Sequence, residues 1–365
     1  MYYMWPVTSD LEQGGRPGSV SWIDSCALVR LGSVMRKEIM QEFALRMSEA
    51  FIHGKDDEGN ALLEELMDRQ DVTSPPDDPR RGNFAFYAGD KEVGDLNGLA
   101  FAGIHLGFVV LEKSDHIASS LRQRLFDQTL RECLAGYDGH FRGSGQGFAG
   151  EPMPRWWQSN IWFLATAGRL MMARALGRDD HIDIARQRLS DARGYTERYG
   201  MGEYNSPTYL GDQLHGLHFC WYYAPDEAFR LDAAALLDDM YLDLAEHYHP
   251  VSRAMAGTWS RHYEQDVEGA RRFRRSTDAA FGERDPSSLG RFGLDDYRCP
   301  ESLRAIAHAE DPYMVHRRHL NDVRRTLYQA PEYSLGTQSG RHVFYVSGTA
   351  VNVTYVAPNH ARHVA

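Results

Sequence analysis

The chain has 365 residues, 40 of them basic and 51 acidic, for a formal net charge of -11. That length can bury a full core, and the acidic balance repels phosphate backbones, so nucleic acid is not an expected partner. The longest apolar stretch, Gly98 to Leu111, is too short to span a bilayer, the first residues lack a basic stretch ahead of an apolar one, and the four cysteines share no CxxC spacing; a cytoplasmic protein with free thiols and no membrane contact is the expectation.

In chain order, apolar residues recur at helical spacing from Ser25 to about His53, and a second helix is expected over Glu58 to Arg69. Asp71 to Gly94, broken by Pro75, Pro76, Pro79, Gly82 and Gly89, reads as a long structured loop. A pattern then repeats every 50 to 60 residues or so. Apolar helices over Leu96 to Leu111, Ser159 to Leu176 and Leu210 to Tyr223 are each followed by a more polar one, over Asp115 to Leu134, Asp180 to Tyr199 and Asp226 to Tyr248. A helix apolar on every side must be buried, so the apolar members belong inside and the amphipathic ones outside. The expected fold is all-α, an α/α toroid (a partial or complete barrel of helical hairpins), with residues 1–330 as its catalytic domain. Beyond Pro250 the pattern weakens; Asp311 to Gln329 reads as a further helix. Arg341 to Val356 alternates around Gly348 and reads as a short C-terminal β-hairpin within a tail of residues 331–365. Two strands do not form a domain alone, so this tail is expected to pack on the helices or to pair with a second copy as a homodimer.

In such an arrangement the loops entering the inner helices gather on one face. They are Arg81 to Tyr87 with Gly94 to Asn97, then Phe148 to Asn160, then Gly202 to Tyr209, and all mix aromatic rings with amides and hydroxyls. Such surfaces suit a sugar ring, and helix N-termini favour a carboxylate. Asn97, Ser159 and Thr208 also suit N-caps, and Trp156 and Trp157 also suit wedges between helices. Glu203-Tyr204-Asn205-Ser206-Pro207-Thr208-Tyr209 is too polar for packing to explain.

His215 and His218 lie three apart, so they share a helix face, while His247, His249 and His262 follow within about 50 residues. They also suit core positions; one of them transferring a proton is the functional reading. No HExxH or acidic residue at ligand spacing accompanies them, so neither a metal nor another cofactor is expected. Arg271, Arg272, Arg274 and Arg275 stand beside Asp266 and Glu268 and read as a solvated face. Gly143 to Gly147 lacks the strand and helix of a phosphate loop and reads as a rim.

Over residues 80 to 265 the chain resembles the α/α-toroid polysaccharide lyases and heparinase-like proteins. The aromatic-amide loops, Asn160 at a helix head, the Tyr-rich stretch Glu203 to Tyr209, and the turn His247-Tyr248-His249-Pro250 carry the likeness. The resemblance implies β-elimination beside a uronic acid in an oligosaccharide or related small molecule. The carboxylate is neutralised so that a carbon acid gives up its proton. On this chain Asn160 and Asn205, with Arg261, would bind the carboxylate. Tyr209 or Tyr204 would act as acid or base with His215, His218 or His262, and Glu203 would orient one of them. Asn97, Trp156, Trp157, His247, His249 and Tyr263 would complete the substrate-binding set. Such lyases usually carry a large β-sandwich after the toroid, where only one hairpin is expected here. Two other readings stay open. A dehydratase, isomerase or cyclase acting on a terpenoid alcohol would use the same aromatic lining, and a glycan-binding module would use it without turnover.

Overall fold

The computed structural model describes residues 38–142, 158–206, 208–252, 254–258, 281, 292–295, 297–318, 324–339, 351–357 and 360–364. The chain divides into two units, Met1–Lys37 and Glu38–Ala365, and everything below concerns the second. It is mostly helical with β structure at its C-terminal end. Among the described residues the helices are α1 (Met40–Ile52), α2 (Asp56–Asp68), α3 (Gly98–Glu112), α4 (Ser119–Arg124), α5 (Leu130–Arg142), α6 (Ser159–Leu176), α7 (Asp179–Tyr199), α8 (Leu210–Tyr222), α9 (Glu227–His247) and α10 (Glu301–Ala307). A π-turn, Leu125–Thr129, joins α4 to α5, so the polar stretch after α3 is segmented.

The amphipathic α1 and the three apolar helices pack in series, α1 on α3, α3 on α6 and α6 on α8. The amphipathic helices cover them: α2 lies on α1, α5 on α3 and α6, α7 on α6, and α9 on α7 and α8. Contact positions establish the direction of the inner helices. Gly168 lies against Gly103 and Met171 against Gly107, so residue numbers rise together and α3 runs parallel to α6. A Cβ at Gly107 would sit 2.8 Å from that of Met171, which is why the helices approach so closely there. Gln213 bonds Ser159, and Gly216 lies against Phe163 and Leu164, so α6 and α8 are parallel too. At the opposite ends Arg174 Nη1 donates to the Tyr223 carbonyl (2.7 Å) and the Tyr223 hydroxyl to Glu112 Oε1 (3.0 Å). The N-termini of α3, α6 and α8 therefore share one face. Gln41 at the head of α1 reaches the same face through its amide, which donates to Asp212 Oδ1 at 2.9 Å.

A buried arginine ties three layers together. Arg169 on α6, fully buried, donates to Asp138 on α5 (2.6 Å) and to His181 Nδ1 on α7 (2.9 Å), and lies 5.7 Å over the Tyr137 ring. Because Nδ1 accepts, His181 is neutral and carries its proton on Nε2.

The C-terminal region differs from the expected helix and hairpin. Asp311 to Gln329 is not helical: it contains β3 (Tyr313–Arg318) and β4 (Arg324–Gln329). Along β3 half-buried Tyr313, Val315 and Arg317 alternate with exposed Met314, His316 and Arg318, the period of a sheet that buries one face. Polar and basic residues occupy both faces, which hides that period from a hydrophobicity count. With β5 (Tyr333–Ser339), β6 (Val351–Ala357) and β7 (His360–Val364) they form an antiparallel five-stranded sheet in sequential order. Of the hairpin expected at Arg341 to Val356, the described part, Val351 to Val356, lies in strand β6 of this meander; residues 340–350 lie outside the described residues. A separate two-stranded ribbon, β1 (Tyr248–His249) with β2 (Ala254–Met255), follows α9. The sheet is fastened to α9 by Arg317, which donates to both carboxylate oxygens of Glu246 (2.7 Å each), and by Tyr313, which donates to the Glu246 carbonyl (2.9 Å).

Candidate functional site

Helix α7 ends at Gly200, whose φ of 79° releases the chain into the loop that leads to α8. In that loop Asn205 is the only described non-glycine residue with positive φ, at 47°. Asn tolerates this left-handed conformation better than most residues. It shapes a tight turn in which the Ser206 N–H donates to the Glu203 carbonyl (3.2 Å) and Ser206 Oγ accepts from the Tyr209 N–H (3.3 Å).

Glu203, fully buried, sits at the head of α6. Its Oε2 accepts from the Asn160 N–H (2.8 Å) and lies 3.4 Å from Ser159 Oγ. The positive end of the helix dipole stabilises a carboxylate there. Ser159 Oγ is the hub of the cluster: it accepts from the Glu203 N–H (2.9 Å) and from Gln213 Nε2 (2.5 Å). Asn160 and Gln213 are 1% and 0% exposed, and among the described residues the amide oxygen of each has no hydrogen-bond partner. Asn205, beside them in the loop, donates from Nδ2 to the Thr258 carbonyl (3.3 Å).

Tyr204 turns the other way, toward α9 and the sheet. Its hydroxyl lies 2.8 Å from His247 Nε2, and His247 Nδ1 lies 2.7 Å from the Asp243 carbonyl. A carbonyl only accepts, so Nδ1 carries the proton, Nε2 accepts, and the Tyr204 hydroxyl donates. The Arg325 guanidinium from β4 stacks 3.6 Å over the Tyr204 ring and donates from Nε to Gln338 (3.0 Å). Burial pushes His247 down to about 4, and the nearby Arg325 and Arg317 charges act the same way. Burial pushes the Asp243 carboxyl up to about 7; Glu246 adds to this while Arg317 and Arg325 oppose it. Burial, then the Asp243 charge, also pushes the Tyr204 hydroxyl upward. At neutral pH Tyr204 and His247 are therefore both uncharged.

The remaining candidates separate. Tyr209 is half-buried at the head of α8. His215 turns inward from α8, its ring 4.8 Å from Phe219, 5.6 Å from Phe292 and 6.1 Å from His105 of α3. His218 faces α9 instead, with Nε2 2.8 Å from the Tyr241 hydroxyl. The two histidines thus share a side of the helix but not a neighbour. His249 accepts at Nδ1 from the Ser252 N–H (3.1 Å) and so donates from Nε2 to the Ala330 carbonyl (2.9 Å), which engages both nitrogens in the ribbon. Asn97 precedes α3 but makes no capping bond. Asn83 does that work, accepting at Oδ1 from the Phe84 and Leu99 N–H groups (2.7 Å each). Trp156, Trp157, Arg261, His262 and Tyr263 lie outside the described residues, as do the arginines 271–275 and the glycine-rich 143–147. Among the described residues no three His, Cys, Asp or Glu side chains gather as a metal site, and no helix is long and apolar enough to cross a membrane.

Gln213 and Arg325 were not singled out by sequence. Gln213 had a signal: a polar residue one turn after Tyr209, on a helix whose other buried polar residues are His215 and His218. Arg325 had none, because only the sheet brings it to Tyr204.

Residues 70–273, more than half of the chain, match the family model described as Domain of unknown function (DUF8769), and the chain belongs to that family. No curated protein and no solved structure matches it.

Proposed function

We propose that this member of the family is a lyase that performs β-elimination on a uronate-containing oligosaccharide or a related hydroxylated acid, at the shared N-terminal face of α3, α6 and α8. The observation that carries the reading is the cluster at the head of α6. Glu203, Ser159, Asn160 and Gln213 are all buried and interlocked there, yet among the described residues two amide oxygens have no partner. Fully satisfied networks are the rule where only stability is at stake. The series α1, α3, α6 and α8, with Gln41 reaching Asp212, supports reading the helical body as an α/α toroid.

In this reading the amide N–H groups of Asn160 and Asn205 hold the carboxylate and draw charge toward it as the neighbouring carbon loses its proton. Tyr209, half-buried at the face, is the acid–base group, and His215 is its partner from the same helix. Tyr204 is a positioning residue: its hydroxyl is committed to His247, and it fixes the loop that carries Asn205 and Tyr209.

The test is ultraviolet absorbance of the unsaturated product across a panel of uronate oligosaccharides. Wild type is expected to generate absorbance, and Tyr209→Phe to lose roughly 100-fold or more in kcat. A flat trace over the whole panel refutes the lyase reading. A second reading rests on the ring cluster of His105, His215, Phe108, Phe219 and Phe292. Imidazoles among aromatic rings suit protonation of a prenyl alcohol by a dehydratase, isomerase or cyclase, and mass spectrometry of such alcohols incubated with the protein tests it.

A further inference from the structure

We propose that Asn160 and Gln213 form a hydroxyl-reading subsite, in which Asn160 Oδ1 and Gln213 Oε1 accept hydrogen bonds from the vicinal diol of a pyranose ring. The inference rests on the site assignment above and names what that site recognises besides a carboxylate.

The donor count around Ser159 determines which way the Gln213 amide points. Ser159 Oγ accepts from the Glu203 N–H (2.9 Å) and from Gln213 Nε2 (2.5 Å). Its own proton is directed at Glu203 Oε2, 3.4 Å away. Turning the Gln213 amide over would set its oxygen against a hydroxyl whose proton is already used, so Oε1 is held away from Ser159. The Asn160 N–H is likewise committed to Glu203 (2.8 Å), which anchors that residue at the helix head. The Gln213 oxygen is thus fixed in place, and among the described residues both amide oxygens are buried acceptors with no donor. Burying such an atom is unfavourable unless a ligand or water supplies a proton.

The chemistry of the ligand follows from what is missing. Two acceptors call for two donors, so an anion cannot satisfy them. Glu203, the carboxylate of the cluster, is already bonded to the Asn160 N–H, so the open positions are neutral dipoles better matched to hydroxyls than to an ammonium group. The two residues stand on the adjoining first turns of parallel helices, bridged through Ser159. A pair of neighbouring hydroxyls on one ring edge supplies two such donors side by side.

Binding of methyl α-D-glucuronide and of its 2,3-dideoxy analogue to the full chain, measured by calorimetry, tests this. Both keep the carboxylate; only the first has the diol. Wild type is expected to prefer the diol by about tenfold or more, because a site built to pair with a hydroxyl rejects the analogue lacking it. Gln213→Met, close in volume, is expected to bring the two affinities within about twofold. Asn160→Ala provides the same readout from α6, with thermal melting to show that each variant is folded. Equal binding of both probes to wild type, preference retained in both folded variants, or no binding of either probe overturns the proposal; the first means that water alone fills the two positions. The ultraviolet assay above is independent. Diol preference without turnover removes the lyase reading and leaves the subsite, whereas turnover without diol preference does the reverse.

Discussion

The hydroxyl of Tyr204 donates to Nε2 of His247 across 2.8 Å, joining the loop before α8 to the last turn of α9. The histidine in turn donates from Nδ1–H to the Asp243 carbonyl (2.7 Å), so both ring nitrogens are used inside the protein. Tyr204→Phe leaves Nε2 buried without its donor. A loss of about 1–3 kcal/mol in unfolding free energy is expected, by urea denaturation. A variant as stable as wild type would show that the bond contributes nothing.

The groups around this pair give opposing pH dependences. His247 is held down at about 4, so its contribution is complete above the ordinary histidine value and is lost as pH falls from there toward 4. Asp243 is held up at about 7, so its contribution is complete below the ordinary carboxylate range and is lost as pH rises through 7. Asp243→Asn removes only the second. The melting temperature of wild type minus that of the variant should therefore fall as pH rises from 5 to about 7 and level off above it. A difference that does not change over this window contradicts the assignment.

Glu203 closes the N-terminus of α6, and charge and hydrogen bonding contribute separately. Glu203→Gln keeps an acceptor for the Asn160 N–H and loses only the charge at the helix end, for a cost of about 0.3–1 kcal/mol. Glu203→Leu also strips the N–H of its partner and should cost about 1–3 kcal/mol. Equal losses in guanidinium melts would show that the acceptor at Asn160 does not matter.

Close packing of α3 on α6 depends on Gly103 and on Tyr137. A Cβ at Gly103 would fall on the Tyr137 hydroxyl, so Gly103→Ala is expected to cost about 1–3 kcal/mol through overpacking. Tyr137→Phe removes the atom that is struck. In a double-mutant cycle the pair should couple favourably by about 0.5–3 kcal/mol; strict additivity would place the strain elsewhere.

Helix extents were legible to within two residues for α3, α6, α7, α8 and α9, because apolar periodicity and the breakers Gly177 and Pro225 are local signals. The two strands within Asp311 to Gln329 were not. Arg317 and Arg325 occupy the sheet's inward face because Glu246 and the Tyr204 ring receive them there, and a charge on the buried face erases the alternation that marks a strand. The site was legible as a loop, Glu203 to Tyr209, rather than as roles. Glu203 proved to be a helix-end carboxylate and Tyr204 a donor to a neutral histidine, since each role depends on a partner about 43 residues away.

By itself, then, the amino-acid order determined which segments are buried helices, which are their amphipathic covers, and which loop is unusually polar, because each is written in neighbours one to four residues apart. Only the tertiary structure decided that α3, α6 and α8 run parallel, that their heads share one face, and that Gln213 and Arg325 belong to its surroundings. Those relationships arise where helices meet through glycines and where a sheet docks on α9, contacts whose partners lie tens of residues apart and leave no periodic trace in the chain.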